Sequence, residues 1–179
     1  MYKRQKLGSR HLQAISQARL KNLKIFVVDF NPEAITNSKK RLEEVGIKKN
    51  TTSVVFLNNI NELNITTINL LIIATTSENR FNVLKEISNN FSVINLILEK
   101  FLFQKEETYY KAEKLIEDLK IKAWVNCPRR QWKFYIDLKE RLKNNKIKKF
   151  QVSGGKWSMA TSAIPVSYTH LTLPTKVYV

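Results

Sequence analysis

The sequence predicts an α/β fold, a parallel sheet with helices on its faces, followed by the start of a second α/β domain. Three observations carry that expectation. Short runs of β-branched and apolar residues recur without polar alternation, as strands buried on both faces require. Amphipathic helical stretches separate those runs, the pattern of repeated βαβ units. The 179 residues, 43% of them hydrophobic, are enough for one sizeable core and part of another.

The elements follow in order. A helix begins near Gly8 and carries Ser9, Arg10 and His11. Lys24–Asp29 (KIFVVD) is an apolar strand. Asn31-Pro32-Glu33 then starts a helix, with Asn as N-cap, Pro at the first helical position and Glu at the positive end. That helix runs to about Val45 and stops at Gly46. Ser53–Leu57 is a second strand, and Asn69–Thr75 (NLLIIAT) a third and the most apolar. Asn79–Ile87 is helical, with Ser77 able to cap it, and Val93–Leu98 (VINLIL) is a fourth strand. A helix from about Lys105 to Leu119 places Tyr109, Ala112, Leu115, Ile116 and Leu119 on one face. Lys122–Val125, a helix over about Arg130–Leu142 and a strand at Lys148–Ser153 complete the series.

Parallel sheets of this kind bind ligands at the carboxyl ends of their strands. The residues just after each strand are therefore the candidate site. A dinucleotide-binding sheet would place G-x-G-x-x-G ahead of the first helix, after a first strand. Gly8 fits the last glycine, but Lys3 and Gln5 occupy the two earlier positions, and the first strand is missing. Asp29 ends a strand about twenty residues after Gly8, where a carboxylate accepts both ribose hydroxyls of an adenosine. It would repel a 2′-phosphate, which favours NAD over NADP. It is equally well read as the opening of the turn into Asn31-Pro32. Ala74, Thr75, Thr76 and Asn79 follow the most apolar strand and can face a pyrophosphate or ribose, or simply cap the next helix.

Glu99 and Lys100 end VINLIL, where charged side chains are expected to leave the core. An ammonium at Lys100 can donate to a substrate hydroxyl or carbonyl and polarise the carbon that exchanges hydride with a nicotinamide. The plainer reading is a charge that keeps a strand end soluble. Asn126, Arg129 and Arg130 follow the fifth strand and suit an anionic or polyhydroxylated substrate. Interdomain ion pairs would explain the two arginines as well.

Composition narrows the field. The net charge of +16 raises a nucleic-acid reading, but the lysines are spread over every segment, as on a solvated surface. Neither a zinc-ligand spacing nor an RNA-binding aromatic motif supports that reading. Apolar runs stay strand-sized, the longest being Leu70–Ala74, so no membrane span is expected. Cys127 is the single cysteine, which excludes an internal disulfide and agrees with the cytoplasm. No Ser-His-acid set, P-loop or metal cluster can be assembled.

The segments KLGSRHLQAI, IFVVDFNPEA, LLIIATTSENR, LILEKFLF and VNCPRRQWKFY, in that order, resemble the glucose–fructose oxidoreductase/inositol dehydrogenase/MocA family, from about Lys6 to Ile164. The resemblance implies an N-terminal Rossmann domain, a C-terminal α/β domain with an open sheet, and NAD- or NADP-dependent oxidoreduction of a sugar or sugar derivative. The family's E-K-P motif falls on Glu99-Lys100-Phe101, with Phe101 in place of proline, so its nicotinamide- and substrate-contacting lysine corresponds to Lys100. The phosphate-binding helix corresponds to Gly8, Ser9 and Arg10, the acidic ribose ligand to Asp29, and the arginine after the fifth strand to Arg130. Ser153–Trp157 resembles the start of the second domain in members tied to surface polysaccharide synthesis. The His and Asp that those members carry shortly after the position of Ile164 are absent.

These features predict residues 1–125 as an incomplete cofactor domain, 126–165 as the start of a substrate domain and 166–179 as a non-native tail, PVSYTHLTLPTK resembling adapter read-through. The parent enzyme is expected to be a homo-oligomer, and this chain to be inactive by itself. A Rossmann-fold methyltransferase and a basic nucleic-acid-binding module are the alternatives. The first would carry an acidic or Asn-Pro-Pro-like motif where Thr75-Thr76-Ser77 stands, and the second would show steep salt dependence.

Overall fold

The computed structural model describes residues 6–18, 20, 22–47 and 52–144. The expected strand at Lys148–Ser153, the segment Ser153–Trp157 and the tail from residue 166 lie outside the described residues.

Local chemistry sets most element boundaries. Helix α1 spans Lys6–Ser16 and strand β1 Leu23–Val28. Helix α2, Pro32–Val45, starts where Asn31 accepts the Glu33 N–H on its side chain at 2.9 Å. It ends at Gly46, whose φ of 69° is cheap only for glycine. Strand β2 is Thr52–Leu57 and β3 is Thr67–Ile73, with a 3₁₀ turn at Ile60–Glu62 between them. Then come α3 (Arg80–Asn90), β4 (Ser92–Glu99), α4 (Glu106–Asp118), β5 (Lys122–Asn126), a 3₁₀ turn at Pro128–Gln131 and α5 (Lys133–Leu142). The expected helix from Arg130 is thus a short turn followed by α5.

The strands form two sheets. β1 pairs with β2 in parallel, Leu23 opposite Thr52 through Val28 opposite Leu57. β3 pairs with β4 in parallel, ending with Ile73 opposite Leu98, and β5 lies on the other side of β4. The fold class is as expected, parallel sheets flanked by helices, and among the described residues the strands fall into two separate sheets.

The chain divides into two compact units. One comprises Met1–Leu98 and Phe103–Trp124, the other Glu99–Leu102 and Val125–Val179. The core of the first unit includes Ile73, Leu84, Ile87, Val93, Leu96 and Leu98. Leu84 and Leu96 are fully buried. Phe103 packs edge-on against both Phe81 and Tyr109, with ring centroids 6.2 and 5.2 Å away.

The apolar pattern overstates burial in two places. Leu70 in the apolar β3 is 45% exposed, and among the described residues β3 pairs only with β4. On α4, only Ala112 is fully buried, while Tyr109 and Leu119 are exposed, so the buried stripe is narrower than the helical pattern suggests.

Candidate functional site

In the first unit, α1 begins beside the end of β3. A Cβ built on Gly8 would stand 3.5 Å from the Ala74 Cβ, an ordinary contact. Two of the expected cofactor positions are thus neighbours. Gly8 sits inside the first turn of α1, not ahead of it.

Ser9 and Arg10 have other engagements. Ser9 is buried, and its hydroxyl accepts a 2.6 Å hydrogen bond from the Arg41 guanidinium of α2. Arg10 donates to Gln13 at 2.7 Å, and Gln13 donates to the Arg41 carbonyl and the Glu44 carboxylate at 2.6 and 3.1 Å. These side chains tie α1 to α2. Buried polar groups need such partners, and here they hold the helix whose N-terminus approaches Ala74.

Asp29 follows β1 at its carboxyl end. Its N–H donates to the Leu57 carbonyl at 3.2 Å, extending the ladder, and its Oδ1 accepts the Asn31 N–H at 2.9 Å. One carboxylate oxygen therefore organises the turn into α2, the second of the two readings considered for this residue. The group is half-buried.

After β3 the chain passes through Thr75 and Thr76 to Asn79. Ser77 does not cap α3: its hydroxyl accepts a 3.5 Å hydrogen bond from Gln104, and Asn79 takes the cap position without a side-chain hydrogen bond. The loop is fixed by Arg80 instead. This arginine is 3% exposed, and its Nη2 donates to the Thr75 carbonyl at 2.5 Å. Sequence reasoning passed over Arg80 as a site residue. The available signal was a cation in the first turn of a helix, where the dipole disfavours it unless something else holds it.

In the second unit, Glu99 departs from expectation. It does not leave the core but is 2% exposed, with Asn126 Nδ2 donating to its Oε1 at 2.5 Å. A charged or polar acid is buried only where donors meet it, and Asn126 at the end of β5 supplies one. Asn126, expected to touch substrate, spends at least one donor on Glu99. Lys100 is half-buried, and the Lys100–Phe101 peptide bond is cis. The side chains of Arg129 and Arg130 lie outside the described residues; their backbone forms the turn at Pro128–Gln131.

Elsewhere, on α4, Tyr110 donates to Glu106 at 3.2 Å, and that carboxylate raises the phenol's pKa above its ordinary value. Among the described residues no cluster of three or more His, Cys, Asp or Glu side chains could hold a metal ion, and no helix is long and apolar enough to cross a membrane.

No family model and no curated protein matches the chain. Solved structures do. The WlbA (WbpB) dehydrogenase from Thermus thermophilus, in complex with NAD and UDP-GlcNAcA, is similar over 86% of this chain and 52% of its own, with a TM-score of 0.57 and 16% identity. An oxidoreductase from Klebsiella pneumoniae is similar over 78% of this chain and 37% of its own, with a TM-score of 0.56 and 14% identity. The WlbA dehydrogenase from Chromobacterium violaceum, in complex with NADH and UDP-GlcNAcA, gives a TM-score of 0.53 at 19% identity, over 79% of this chain and 36% of its own. The chain thus spans about half the length of these proteins or less, and what it shares with them is the Rossmann-like α/β fold.

Proposed function

We propose that the chain is part of an NAD-dependent oxidoreductase acting on a hydroxyl or carbonyl of a sugar derivative, in surface polysaccharide synthesis. The observation that carries this reading is Lys100, directly after β4, beside a glutamate that is buried and held by Asn126. A lysine anchored through its neighbour can present its ammonium to a substrate oxygen. Donation there draws charge from the reacting carbon, while a bound nicotinamide would supply or accept the hydride. The WlbA structures, which hold NAD or NADH with a sugar nucleotide, support this substrate class.

The residues present fit the cofactor in part. Asp29 offers a carboxylate to the adenosine ribose, and Gly8, Ala74, Thr75, Thr76 and Asn79 lie at or beside the strand-end region where a dinucleotide binds. The pyrophosphate turn does not fit, because Lys3 and Gln5 stand where its glycines belong. In this reading residues 1–125 belong to a cofactor domain, and 126–165 open the substrate domain with Asn126, Arg129 and Arg130. The parent enzyme is a cytoplasmic homo-oligomer, and its cofactor is NAD in preference to NADP.

The test is a parent protein completed at both ends. It should bind NAD(H), and Lys100→Ala should abolish turnover while leaving cofactor affinity within a few-fold. Retained turnover in that variant would remove Lys100 from the chemistry and the reading with it. The present chain should bind NAD weakly or not at all, so tight binding by calorimetry would contradict the account of the pyrophosphate turn.

A further inference from the structure

Arg80 is the first residue of α3 and is 3% exposed. Its place does not serve the helix. A cation in the first turn opposes the helix dipole, and a buried guanidinium gives up its hydration. What the side chain gains is the Thr75 carbonyl, to which Nη2 donates at 2.5 Å. One charged hydrogen bond thus closes the loop between β3 and α3, at the carboxyl end of the strand.

That bond also sets the direction of the next donor. The Thr75–Thr76 peptide is trans. In a planar trans peptide the C=O and the following N–H point in opposite directions. With its carbonyl drawn to the buried guanidinium, this peptide directs the Thr76 N–H away from Arg80, in a loop whose Thr75 is exposed. A cation bonded at the carbonyl end polarises the peptide, so its N–H becomes a stronger donor to a negative oxygen. Helix α1 reaches the same place, because Gly8 in its first turn meets Ala74, the residue just before this peptide.

We propose that the Thr76 N–H is a ligand donor for a phosphate oxygen of the dinucleotide, and that Arg80 is the positioning residue that aims it. Arg80 acts on the cofactor through the Thr75–Thr76 peptide and does not touch it. A phosphate is favoured over a ribose hydroxyl because a donor polarised by a cation gains most from an acceptor that carries charge. The proposal rests on the oxidoreductase reading and adds to it one donor atom and the side chain behind that atom.

The test is nuclear magnetic resonance on the isotope-labelled full chain, titrated with NAD at millimolar concentrations, the range that reads weak binding. The Thr76 amide proton should move downfield and saturate. Arg80→Met keeps an extended apolar stem without the charge. It should move the Thr75 carbonyl carbon upfield, reporting the lost hydrogen bond, and weaken NAD binding by about tenfold. Arg80→Lys, which keeps a charged donor, should recover part of both effects. Thr76→Pro removes the N–H and leaves the Thr75 carbonyl in place, so it should weaken NAD to a similar degree. The two changes act on one contact, so the double variant should bind no more weakly than either single one. An additive double variant would make Arg80 merely structural and overturn the proposal. So would NAD shifts at Asp29 and Ala74 with none at Thr76, a result that stands on the unaltered chain even where Arg80→Met fails to fold. No shift at any amide would remove cofactor binding from this chain and the proposal with it. Adenosine, which has no phosphate, should leave Thr76 unmoved, and an equal shift with adenosine would overturn the assignment to phosphate.

Discussion

Gly8 and Ala74 meet across the start of α1 and the end of β3, at 3.5 Å from a Cβ built on the glycine. The distance separates two substitutions. Gly8→Ala places a methyl at ordinary contact and removes a glycine from a helix, which should stabilise the chain by about 0.5–1 kcal/mol. Gly8→Leu must carry its branched end past Ala74 and should lose that gain or reverse it. Urea denaturation should give a higher midpoint for Gly8→Ala than for Gly8→Leu. Equal shifts would mean that α1 does not press on β3 at this point.

Ser9 and Arg41 join the same helix to α2 through a 2.6 Å hydrogen bond. Removing either partner should cost about 1 kcal/mol, because the other is left without that bond in a buried place. Ser9→Ala and Arg41→Ala combined should cost less than the sum of the two, and the shortfall in a double-mutant cycle measures the bond. In a completed parent protein Ser9→Ala should leave NAD affinity unchanged, since its hydroxyl is turned to α2.

What could be read from the sequence was what a few neighbouring residues decide among themselves. Asn31, Pro32 and Gly46 bound α2 where they were expected to, because capping and left-handed backbone are local chemistry. The five expected strands among the described residues also fell within two residues of their expected limits. What escaped depends on residues far apart in the chain. Leu70 is 45% exposed although it lies in the apolar run NLLII, and among the described residues β3 pairs only with β4. Glu99 is buried because Asn126 donates to it from another strand. Ser77 looked like the cap of α3, but Gln104 takes its hydroxyl, and Arg80 holds the loop in its place. The candidate site was legible as a set of strand ends and not as a set of side-chain directions.

Leu84 and Leu96 are the fully buried aliphatic side chains of the first unit, one on α3 and one on β4. Truncating either to alanine should cost about 2–5 kcal/mol, the transfer energy plus the cavity left behind. Leu70→Ala, in an exposed position of the same sheet, should cost far less. A Leu70 effect as large as that of Leu96 in the same denaturation assay would mean that β3 has a partner in solution.

Asn126 and Glu99 offer the sharpest electrostatic test. Asn126→Ala should destabilise the chain by about 1–3 kcal/mol through loss of a hydrogen bond to a buried acid. Asn126→Asp is nearly isosteric yet should cost more, because it sets a second carboxyl against the first. Two carboxyls in contact ionise together only at high cost, so one of them is raised above the usual carboxylate range. A group with a raised folded-state pKa binds its proton more tightly folded than unfolded. The penalty of Asn126→Asp should therefore be greatest near neutral pH and shrink as pH falls, where a shared proton replaces repulsion with a hydrogen bond. Asn126→Ala removes a donor without adding a second carboxyl, so its penalty should shrink on acidification by less. Parallel pH dependences of the two variants would mean that a carboxyl at position 126 does not meet Glu99.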